Sequence, residues 1–275
     1  MDFCFCTLAL GKKYRDLAGL LARDIETYAS GTYLIILTDK VQDFSEYGNV
    51  LAFAHQQYHV YPYHDKRFVI AKAISMFDSC IFLDADMRIM DKVPSHLEWL
   101  PGITARSGCS LIKHNQNRQK QFKFIQKVAQ KLEVALEDTK FVHEFLFTIK
   151  RNSEREIEFL EYWKIIAHYL EFNGIYQGEG NAIGLAAAKA GLPVRFDSQD
   201  RIKFFKDRIE KVRIEKGQVD PHEKLKYFEL QKQIEFPQYS LLVKIANKVN
   251  GQFNYLYRLL ILKILALRDF NFYYR

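Results

Sequence analysis

The sequence predicts an α/β protein with a mostly parallel central sheet flanked by helices, followed by a basic, mainly helical C-terminal extension. Short apolar runs alternate with amphipathic segments through the first 200 residues, which is the pattern of parallel strands joined by helical crossovers. Residues 201–275 contain 16 Lys and Arg against 8 Asp and Glu, whereas residues 1–200 contain 24 against 25. We therefore expect a domain over residues 1–200 and an extension over residues 201–275.

Composition places the chain among ordinary globular proteins, since 48% of its 275 residues are hydrophobic and 27% are charged. Its cysteines are too few for a disulfide framework at this length, and we expect reduced, buried thiols at Cys4, Cys6, Cys80 and Cys109. No uncharged stretch approaches the ~20 residues that span a bilayer, and the N-terminus lacks the basic region of a signal peptide. These features predict a cytoplasmic protein.

The first half of the chain supplies strands and helices in alternation. An apolar strand over residues 3–10 ends at Gly11, and a helix over residues 14–28 has its apolar residues at helical spacing. Further strands are predicted over residues 33–37, 50–54 and 59–63. Asp65 is placed to cap a helix over residues 65–77, which leads into the next strand.

That next strand ends in two carboxylates. The apolar run Ile81-Phe82-Leu83 continues directly into Asp84-Ala85-Asp86. Asp is common in turns after strands, but ligands of parallel sheets bind at this end of the strands. Paired carboxylates there favour a hard divalent cation that can also bind substrate phosphates.

The second half is less regular. Residues 105–121 are polar without clear periodicity and predict a mobile loop over a site or a plain surface loop. An apolar strand over residues 141–149 is interrupted by His143 and Glu144, and Ser153 with Glu156 forms a capping-box pattern for a helix that ends near residue 172. Asn181 is the expected cap of a helix over residues 182–190, followed by a strand over residues 192–196.

The block from Arg67 to Asp86 resembles the core of retaining glycosyltransferases with the GT-A fold. The likeness is to the bacterial lipopolysaccharide galactosyltransferase and glycogenin-like family and to the histo-blood-group transferase family. It extends over residues 3–196. It implies that residues 1–200 form a nucleotide-sugar-binding catalytic domain of a polysaccharide- or lipopolysaccharide-synthesising hexosyltransferase. The donor would be a uridine diphosphate sugar, the acceptor a saccharide or glycolipid, and the cofactor Mn²⁺ or Mg²⁺.

The resemblance also assigns residues to the donor site. Asp86 would be the main metal ligand, while Asp84 would bind the ribose and assist the metal. The donor-binding residues implied in addition to Asp84 are Leu8, Ala9, Leu10, Tyr14, Asp39, Arg67 and Lys72. The third metal ligand that one family takes from a His-X-Gly-X-X-Lys-Pro-Trp segment has no counterpart in this sequence.

Glu179 falls where these families place a polar residue beneath the anomeric carbon. It lies between two glycines just before a helix, where ligand and backbone approach closely and negative charge is stabilised. A carboxylate at that point is suited to a nucleophile or to stabilising an oxocarbenium-like centre. Glu144 is the rival carboxylate, and we expect transfer with retention.

Two alternatives remain from the residues themselves. Gly178, Gly180 and Gly184 also fit a fingerprint for NADP or FAD in an oxidoreductase, although that motif requires a buried strand directly before it. The C-terminal residues 253–275 mix aromatic and aliphatic side chains with Arg258, Lys263, Arg268 and Arg275, which favours an anionic membrane surface. A non-enzymatic basic adaptor for membrane or nucleic acid would share this feature, but we expect no nucleic acid partner.

Overall fold

The computed structural model describes residues 3–197, 201–237 and 240–274. Its strands are β1 (Phe3–Ala9), β2 (Leu34–Thr38), β3 (Val50–Ala54), β4 (Ser79–Leu83), β5 (Arg88–Ile89), β6 (Gly102–Ala105), β7 (Gly108–Ser110), β8 (Lys140–Val142), β9 (Leu146–Lys150), β10 (Val194–Phe196) and β11 (Phe204–Phe205). Its α-helices are α1 (Lys12–Tyr28), α2 (Lys66–Met76), α3 (Leu111–Asn115), α4 (Gln119–Lys131), α5 (Arg155–Phe172), α6 (Glu179–Lys189), α7 (Asp207–Glu215), α8 (Leu225–Glu235), α9 (Leu241–Arg268) and α10 (Phe270–Tyr274). Short 3₁₀ helices span Val41–Phe44, Pro62–Asp65 and His222–Lys224.

Seven strands form the central sheet in the order β10-β6-β9-β4-β1-β2-β3. Neighbours are parallel except at β9, which runs antiparallel to both β4 and β6. The chain builds β1, β2 and β3 outward in one direction and then returns to place β4 on the other side of β1. Such a reversal of strand order opens a crevice beyond the carboxyl ends of the two strands, which is where α/β proteins bind ligands. The predicted α/β class with a mostly parallel, Rossmann-like sheet is confirmed.

Helices cover both faces of the sheet because successive side chains of a buried strand point to opposite faces. Cys6 and Phe82 pack on one face with α2, α5 and α6, whereas Phe5 and Ile81 pack on the other with α1. Cys4, Cys6 and Cys80 are free and buried, as expected, and burial raises the pKa of the Cys4 and Cys6 thiols. These thiols therefore serve packing.

Three predicted segments differ in the structure. Residues 141–149 do not form one strand, since they divide between β8, which pairs with β7 in a small sheet, and β9 of the central sheet. Residues 59–63 do not form a strand, because Pro62 begins a 3₁₀ helix that runs to Asp65 and leads into α2. Proline lacks a backbone N–H and is well placed in a first helical turn. Residues 105–121 are not an irregular loop either, since they contain β7, α3 and the start of α4. Phe141 stacks on His114 at 3.4 Å between ring centroids, a tertiary contact that local periodicity does not reveal.

The predicted helix caps also differ. The Asp65 carboxylate accepts hydrogen bonds from the N–H groups of Tyr58 and His59 (2.7 and 3.0 Å), so it holds the preceding loop and does not cap α2. Glu156 accepts from the Asn152 N–H (2.8 Å), but α5 begins without a side-chain cap. α6 begins at Glu179, earlier than predicted.

The first turn of α6 contains Asn181, which was the expected cap. Its side chain is buried and accepts a hydrogen bond from Asn115 Nδ2 (2.7 Å). Asn181 therefore joins α6 to α3 in place of capping a helix.

The C-terminal extension packs against the sheet domain. β11 pairs antiparallel with β5, and the Gln231 side chain of α8 donates to the carbonyl oxygen of Asp86 (2.8 Å). α9 packs against α5, and the buried residues of α9, Leu262 and Ala266, lie in the second half of α9. Across the described ranges 3–197, 201–237 and 240–274, no helix combines the length and hydropathy needed to cross a membrane.

Candidate active site

The Asp-X-Asp segment forms a turn at the carboxyl end of β4. The Asp84 N–H donates to the Phe145 carbonyl oxygen (3.0 Å), which continues the β4–β9 pairing by one residue. The Asp84 carbonyl oxygen then accepts from the Met87 N–H (3.0 Å) and closes the turn. Cys6 pairs with Phe82, so Leu8 and Asp84 each lie two residues beyond that pair, at the same edge of the sheet. The two carboxylates thus sit at the crevice where strand order reverses.

The carboxylates of Asp84 and Asp86 converge on one ammonium group. Nζ of Lys206, the residue before α7, lies 2.9 Å from Oδ2 of Asp84 and also contacts Oδ1 of Asp86. Nζ of Lys66, the first residue of α2, lies 2.8 Å from Oδ1 of Asp84. Burial alone would raise the pKa of Asp84, but the ammonium groups of Lys206 and Lys66 outweigh it and lower the pKa to about 2. Asp84 is therefore ionised at neutral pH.

The donor set suits a hard divalent cation in part. Asp84 and Asp86 share a single cation position, at which the Lys206 ammonium stands in for a metal, and carboxylate oxygens are the ligands that Mg²⁺ and Mn²⁺ prefer. No group of three or more His, Cys, Asp or Glu side chains is arranged for a metal within the described residues. Water and substrate phosphates would supply the other ligands, as is usual for Mg²⁺. A metal and Lys206 would compete for the same oxygens.

Lys66 joins the Asp-X-Asp turn to a second pair of carboxylates. Its Nζ atom lies 3.3 Å from Oε1 of Glu179, which is buried in the first turn of α6. Burial raises the pKa of Glu144 to about 7, and the negative charge of Glu179 contributes to that rise. Asp84 and Lys66 also influence Glu144, so the four side chains form one electrostatic cluster. The structure brings both predicted catalytic carboxylates to the predicted metal-binding turn.

Close packing of α6 on β8 explains Gly180 and Gly184, the two glycines that follow Glu179. A Cβ atom on Gly180 would lie 2.3 Å from the Val142 carbonyl oxygen, and one on Gly184 would lie 1.8 Å from the Lys140 carbonyl oxygen. The dinucleotide fingerprint requires a buried strand before its first glycine. Here α5 and a turn precede Gly178, so these glycines allow helix and strand to touch.

The ends of β1 and β2 form the other wall of the crevice. Gly11 has a left-handed φ of 81°, and its N–H donates to Oδ1 of Asp39 (3.0 Å). Arg15 of α1 pairs with the same carboxylate at 2.7 Å, which fixes Asp39 beside the β1–α1 turn. Leu8 and Leu10 are half-buried and Ala9 is buried. Residues 8–10 and Asp39 therefore lie at the crevice edge.

Tyr14 faces this crevice. Its pKa is raised by burial and then by Asp86, Tyr63 and Asp84, which requires its hydroxyl to lie within electrostatic reach of all three. The ring itself is exposed. Tyr14 is thus positioned beside the Asp-X-Asp turn.

The cationic groups of Arg67 and Lys72 contact aromatic rings and not the Asp-X-Asp carboxylates. The Arg67 guanidinium packs 3.8 Å from the centre of the Phe68 ring, and Lys72 Nζ lies 4.2 Å from the centre of the Phe53 ring. Successive residues of a helix point about 100° apart. Lys66, one residue before Arg67, is accordingly the cation that α2 presents to the Asp-X-Asp turn.

Sequence reasoning missed both lysines of the cluster. Lys66 adjoins a residue that the resemblance singled out, and its place at the start of a helix before the Asp-X-Asp strand was a usable signal. Lys206 lies 120 residues after Asp86 in a lysine-rich segment, and nothing local distinguishes it from its neighbours. The pairing of β11 with β5 brings Lys206 to the site.

The second half of α9 has two faces of different character. Tyr255, Arg258, Leu262 and Ala266 face the domain, and Tyr255 Oη lies 3.1 Å from Tyr176 Oη. The opposite face carries exposed apolar side chains at helical spacing: Leu242, Val249, Phe253, Leu256, Leu260, Ile264 and Leu267. The sequence analysis placed the start of this apolar segment at residue 253, but in the structure the stripe begins at Leu242. Arg275 lies outside the described residues.

No protein-family profile matches the chain, and no curated protein is similar enough in sequence to count as a match.

Proposed function

We propose that this protein is a glycosyltransferase of GT-A type that moves a sugar from a nucleoside diphosphate donor to a saccharide or lipid-linked acceptor with retention. The observation that carries the proposal is the bridge formed by Lys66 between Asp84 (2.8 Å) and Glu179 (3.3 Å) at the carboxyl edge of a mostly parallel sheet. This bridge unites a candidate diphosphate site with a buried carboxylate, and the reversal of strand order places both in a crevice.

Donor binding uses both walls of that crevice. The exposed side chain of Tyr14 offers a stacking surface for a uracil base, and Asp39 offers an acceptor for the single ring N–H of that base. Asp84 and Asp86 would hold Mn²⁺ or Mg²⁺, which supplies charge that offsets the diphosphate leaving group. Lys66 and Lys206 carry positive charge at the same place, so diphosphate binding does not depend on the metal alone.

Transfer requires a group that stabilises positive charge at the anomeric carbon. Glu179 provides a buried carboxylate for that role, as nucleophile or as electrostatic partner of an oxocarbenium-like centre. Glu144 is close enough to interact with Glu179, and its pKa of about 7 suits proton exchange with an acceptor hydroxyl near neutral pH. The two carboxyl groups therefore have distinct tasks.

Donor hydrolysis across a panel of nucleotide sugars, with Mn²⁺ present, tests the proposal. Wild type is expected to hydrolyse at least one uridine diphosphate sugar slowly. Glu179→Gln preserves shape and should lower kcat on the order of 10²–10³ with little change in donor KM, because the lost charge acts mainly in the transition state. The proposal would be contradicted if wild type hydrolysed none of the nucleotide sugars. It would also be contradicted if Glu179→Gln hydrolysed the donor as fast as wild type.

We propose further that the protein works at the cytoplasmic face of a membrane, held by α9. Its 28 residues include Lys244, Lys248, Arg258, Lys263 and Arg268 and contain no Asp or Glu. The exposed apolar stripe runs along the helix face opposite the domain, over about 40 Å at 1.5 Å per residue. Basic amphipathic helices of this kind lie in the plane of anionic membranes. Two identical helices without acidic residues would repel each other, which disfavours pairing between copies.

Co-sedimentation with phosphatidylglycerol vesicles tests this attachment. The double variant Leu256→Glu/Leu260→Glu should remain in the supernatant, because it places carboxylates in the stripe. Val212→Glu/Leu225→Glu makes the same change at exposed apolar residues elsewhere and should sediment like wild type. If Leu256→Glu/Leu260→Glu sedimented with the vesicles as much as the control variant does, the stripe would be excluded as the membrane contact.

A further inference from the structure

A groove of about 760 Å³ lies beside the candidate active site. Its walls come from the 3₁₀ segment before α2, the start of α4 and the turn between α5 and α6. This volume falls in the range of small-molecule sites in proteins. Neither the donor site nor the catalytic cluster described above uses the side chains that line it.

Aromatic side chains form one part of the groove. Tyr61 packs against Tyr176 with ring centroids 5.2 Å apart, and Tyr63 and Phe124 line the same space. Tyrosine presents a flat apolar face and a hydroxyl that hydrogen-bonds. The C–H faces of pyranose rings and their equatorial hydroxyls match both properties. The groove surface therefore suits a saccharide better than an aliphatic chain.

The charge of the groove is positive. Arg118 and Lys120, at the start of α4, line it, and no acidic residue does so among the described residues. Neither cation forms an ion pair within the part of the chain that the structure describes, although Arg118 Nη1 lies 3.4 Å from His114 Nε2. Arginine and lysine are the usual partners of phosphate and carboxylate groups. The groove thus favours an anionic ligand.

An unsatisfied polar group also points to a ligand. Nε2 of Gln121 is buried and has no hydrogen-bond partner in the described structure, and Gln121 lines the groove. Leaving a buried donor unpaired costs about 1–3 kcal/mol. A rotation of the Gln121 side chain toward the groove would let a sugar hydroxyl or an anionic oxygen of a bound ligand satisfy this donor.

The groove adjoins the segment that leads into α6, which begins at Glu179. Gln177 Nε2 donates to the Tyr63 hydroxyl (3.2 Å), and Glu179 follows two residues later. Tyr63 also interacts with Tyr14, which lies beside Asp86. A ligand in the groove would therefore lie near the start of α6, with Arg118 and Lys120 on the groove wall.

We propose that this groove binds the acceptor and that the acceptor is an anionic saccharide carrying a phosphate or carboxylate group. That the ligand is an acceptor rests on the proposed transferase activity. The preference for an anionic saccharide follows from the side chains of the groove alone. Tyr61 and Tyr176 supply the stacking surface, and Arg118 and Lys120 bind the anionic group.

Saturation-transfer NMR with matched disaccharides tests the proposal on the full chain. The probes are lactose, lactose 1-phosphate and a glucuronic-acid-terminated disaccharide, each with wild type and with Arg118→Ala/Lys120→Ala. Lysines 123 and 127 are exposed on the same helix and do not line the groove, so Lys123→Ala/Lys127→Ala is a control of equal charge. A separate UDP titration of each variant monitors the donor site.

Wild type should bind one or both anionic probes at least tenfold more tightly than lactose, and the preferred probe identifies phosphate or carboxylate. Arg118→Ala/Lys120→Ala should weaken that binding by about tenfold to a hundredfold, the worth of hydrogen bonds to a charged group. The control variant should bind like wild type, and UDP affinity should be the same in all three.

Equal binding of lactose and the anionic probes, or equal losses in the groove and control variants, would overturn the proposal. So would binding of a thymidine oligonucleotide that Arg118→Ala/Lys120→Ala abolishes while no disaccharide binds. If the disaccharides behave as expected but UDP does not bind, the groove keeps its anionic saccharide and the donor assignment fails. The two proposals are thereby separated.

Discussion

Nζ of Lys206 lies 2.9 Å from Oδ2 of Asp84, and the same ammonium contacts Asp86. The C-terminal extension thus places a positive charge between the two carboxylates at which a divalent cation would bind. Without a metal ion, Lys206 forms ion pairs with Asp84 and Asp86. A metal ion could bind the same oxygens only if the Lys206 ammonium moved away. Movement of the segment around β11 would therefore accompany metal binding.

Replacing Lys206 with Met should tighten Mn²⁺ binding by about tenfold or more. Opposite unit charges ~4 Å apart near a protein surface attract by about 4 kcal/mol before desolvation, and tenfold in affinity corresponds to about 1.4 kcal/mol. Electron paramagnetic resonance of free Mn²⁺ measures this directly. Lys203→Met removes an exposed lysine three residues away and should leave the affinity unchanged. Weaker or equal Mn²⁺ binding by Lys206→Met would show that Lys206 does not compete.

Lys66→Met should destabilise the protein by about 3–5 kcal/mol, because it leaves the buried carboxylate of Glu179 without its ion-pair partner and Asp84 with Lys206 alone. Urea unfolding at neutral pH measures the loss, and adding Asp84→Asn should recover part of it. Lys164→Met breaks the exposed pair with Glu161 and should cost less than about 1 kcal/mol. Equal losses from both lysine substitutions would contradict a buried bridge.

Much of the fold could be predicted because its strands are short apolar runs bounded by turns. β1 to β4 and the helices α1, α2 and α5 lie within a few residues of their predicted positions. Pairing between distant segments could not be predicted, since no local pattern encodes it. The stacking of His114 on Phe141 and the contact of Asn115 with Asn181 order residues 105–121 through such pairing.

The candidate site likewise contains residues that could be predicted from local sequence and residues that could not. Asp84, Asp86, Glu144 and Glu179 were predicted and lie in one cluster, because strand ends and helix starts carry local signals. The sequence signalled a cation at the start of α2 but could not decide between two candidates, and it gave no local signal for Lys206. Lys66 and Arg67 are adjacent, and which one faces the turn depends on the rotation of α2.

Gly184→Ala should destabilise the protein by about 1–3 kcal/mol or more, since its Cβ would lie 1.8 Å from a backbone oxygen of β8. Gly251→Ala in the exposed half of α9 has open space around it and should stabilise by about 0.5–1 kcal/mol. Thermal and urea unfolding of the two variants give the comparison. A Gly184→Ala variant as stable as wild type would exclude the close packing of α6 on β8.

His168→Gln should reduce the dependence of stability on pH. Burial lowers the pKa of His168 to about 3, and the nearby His59 and Arg67 contribute. An unfolded histidine titrates near ~6.5, so below that pH the unfolded chain binds one more proton and the histidine's contribution to stability is lost as pH falls.

Between pH 6.5 and 4, His168→Gln should lower the slope of unfolding free energy against pH by about 1.4 kcal/mol per unit. Titrations of Glu144 and Glu171, which act in the opposite direction, cancel in this comparison with wild type. An unchanged slope in His168→Gln would mean that His168 is protonated in the folded protein.

The most direct test of the donor site is calorimetric titration of UDP, with Mn²⁺ present, into wild type and Asp86→Asn. Asp86→Asn removes a carboxylate charge at the shared cation position while preserving the shape of the side chain. Wild type is expected to bind UDP, and Asp86→Asn to bind it at least about tenfold more weakly with an unchanged free energy of unfolding. Equal UDP affinity in the two proteins, or no UDP binding by wild type, would contradict the assignment of Asp84 and Asp86 to a nucleoside diphosphate donor.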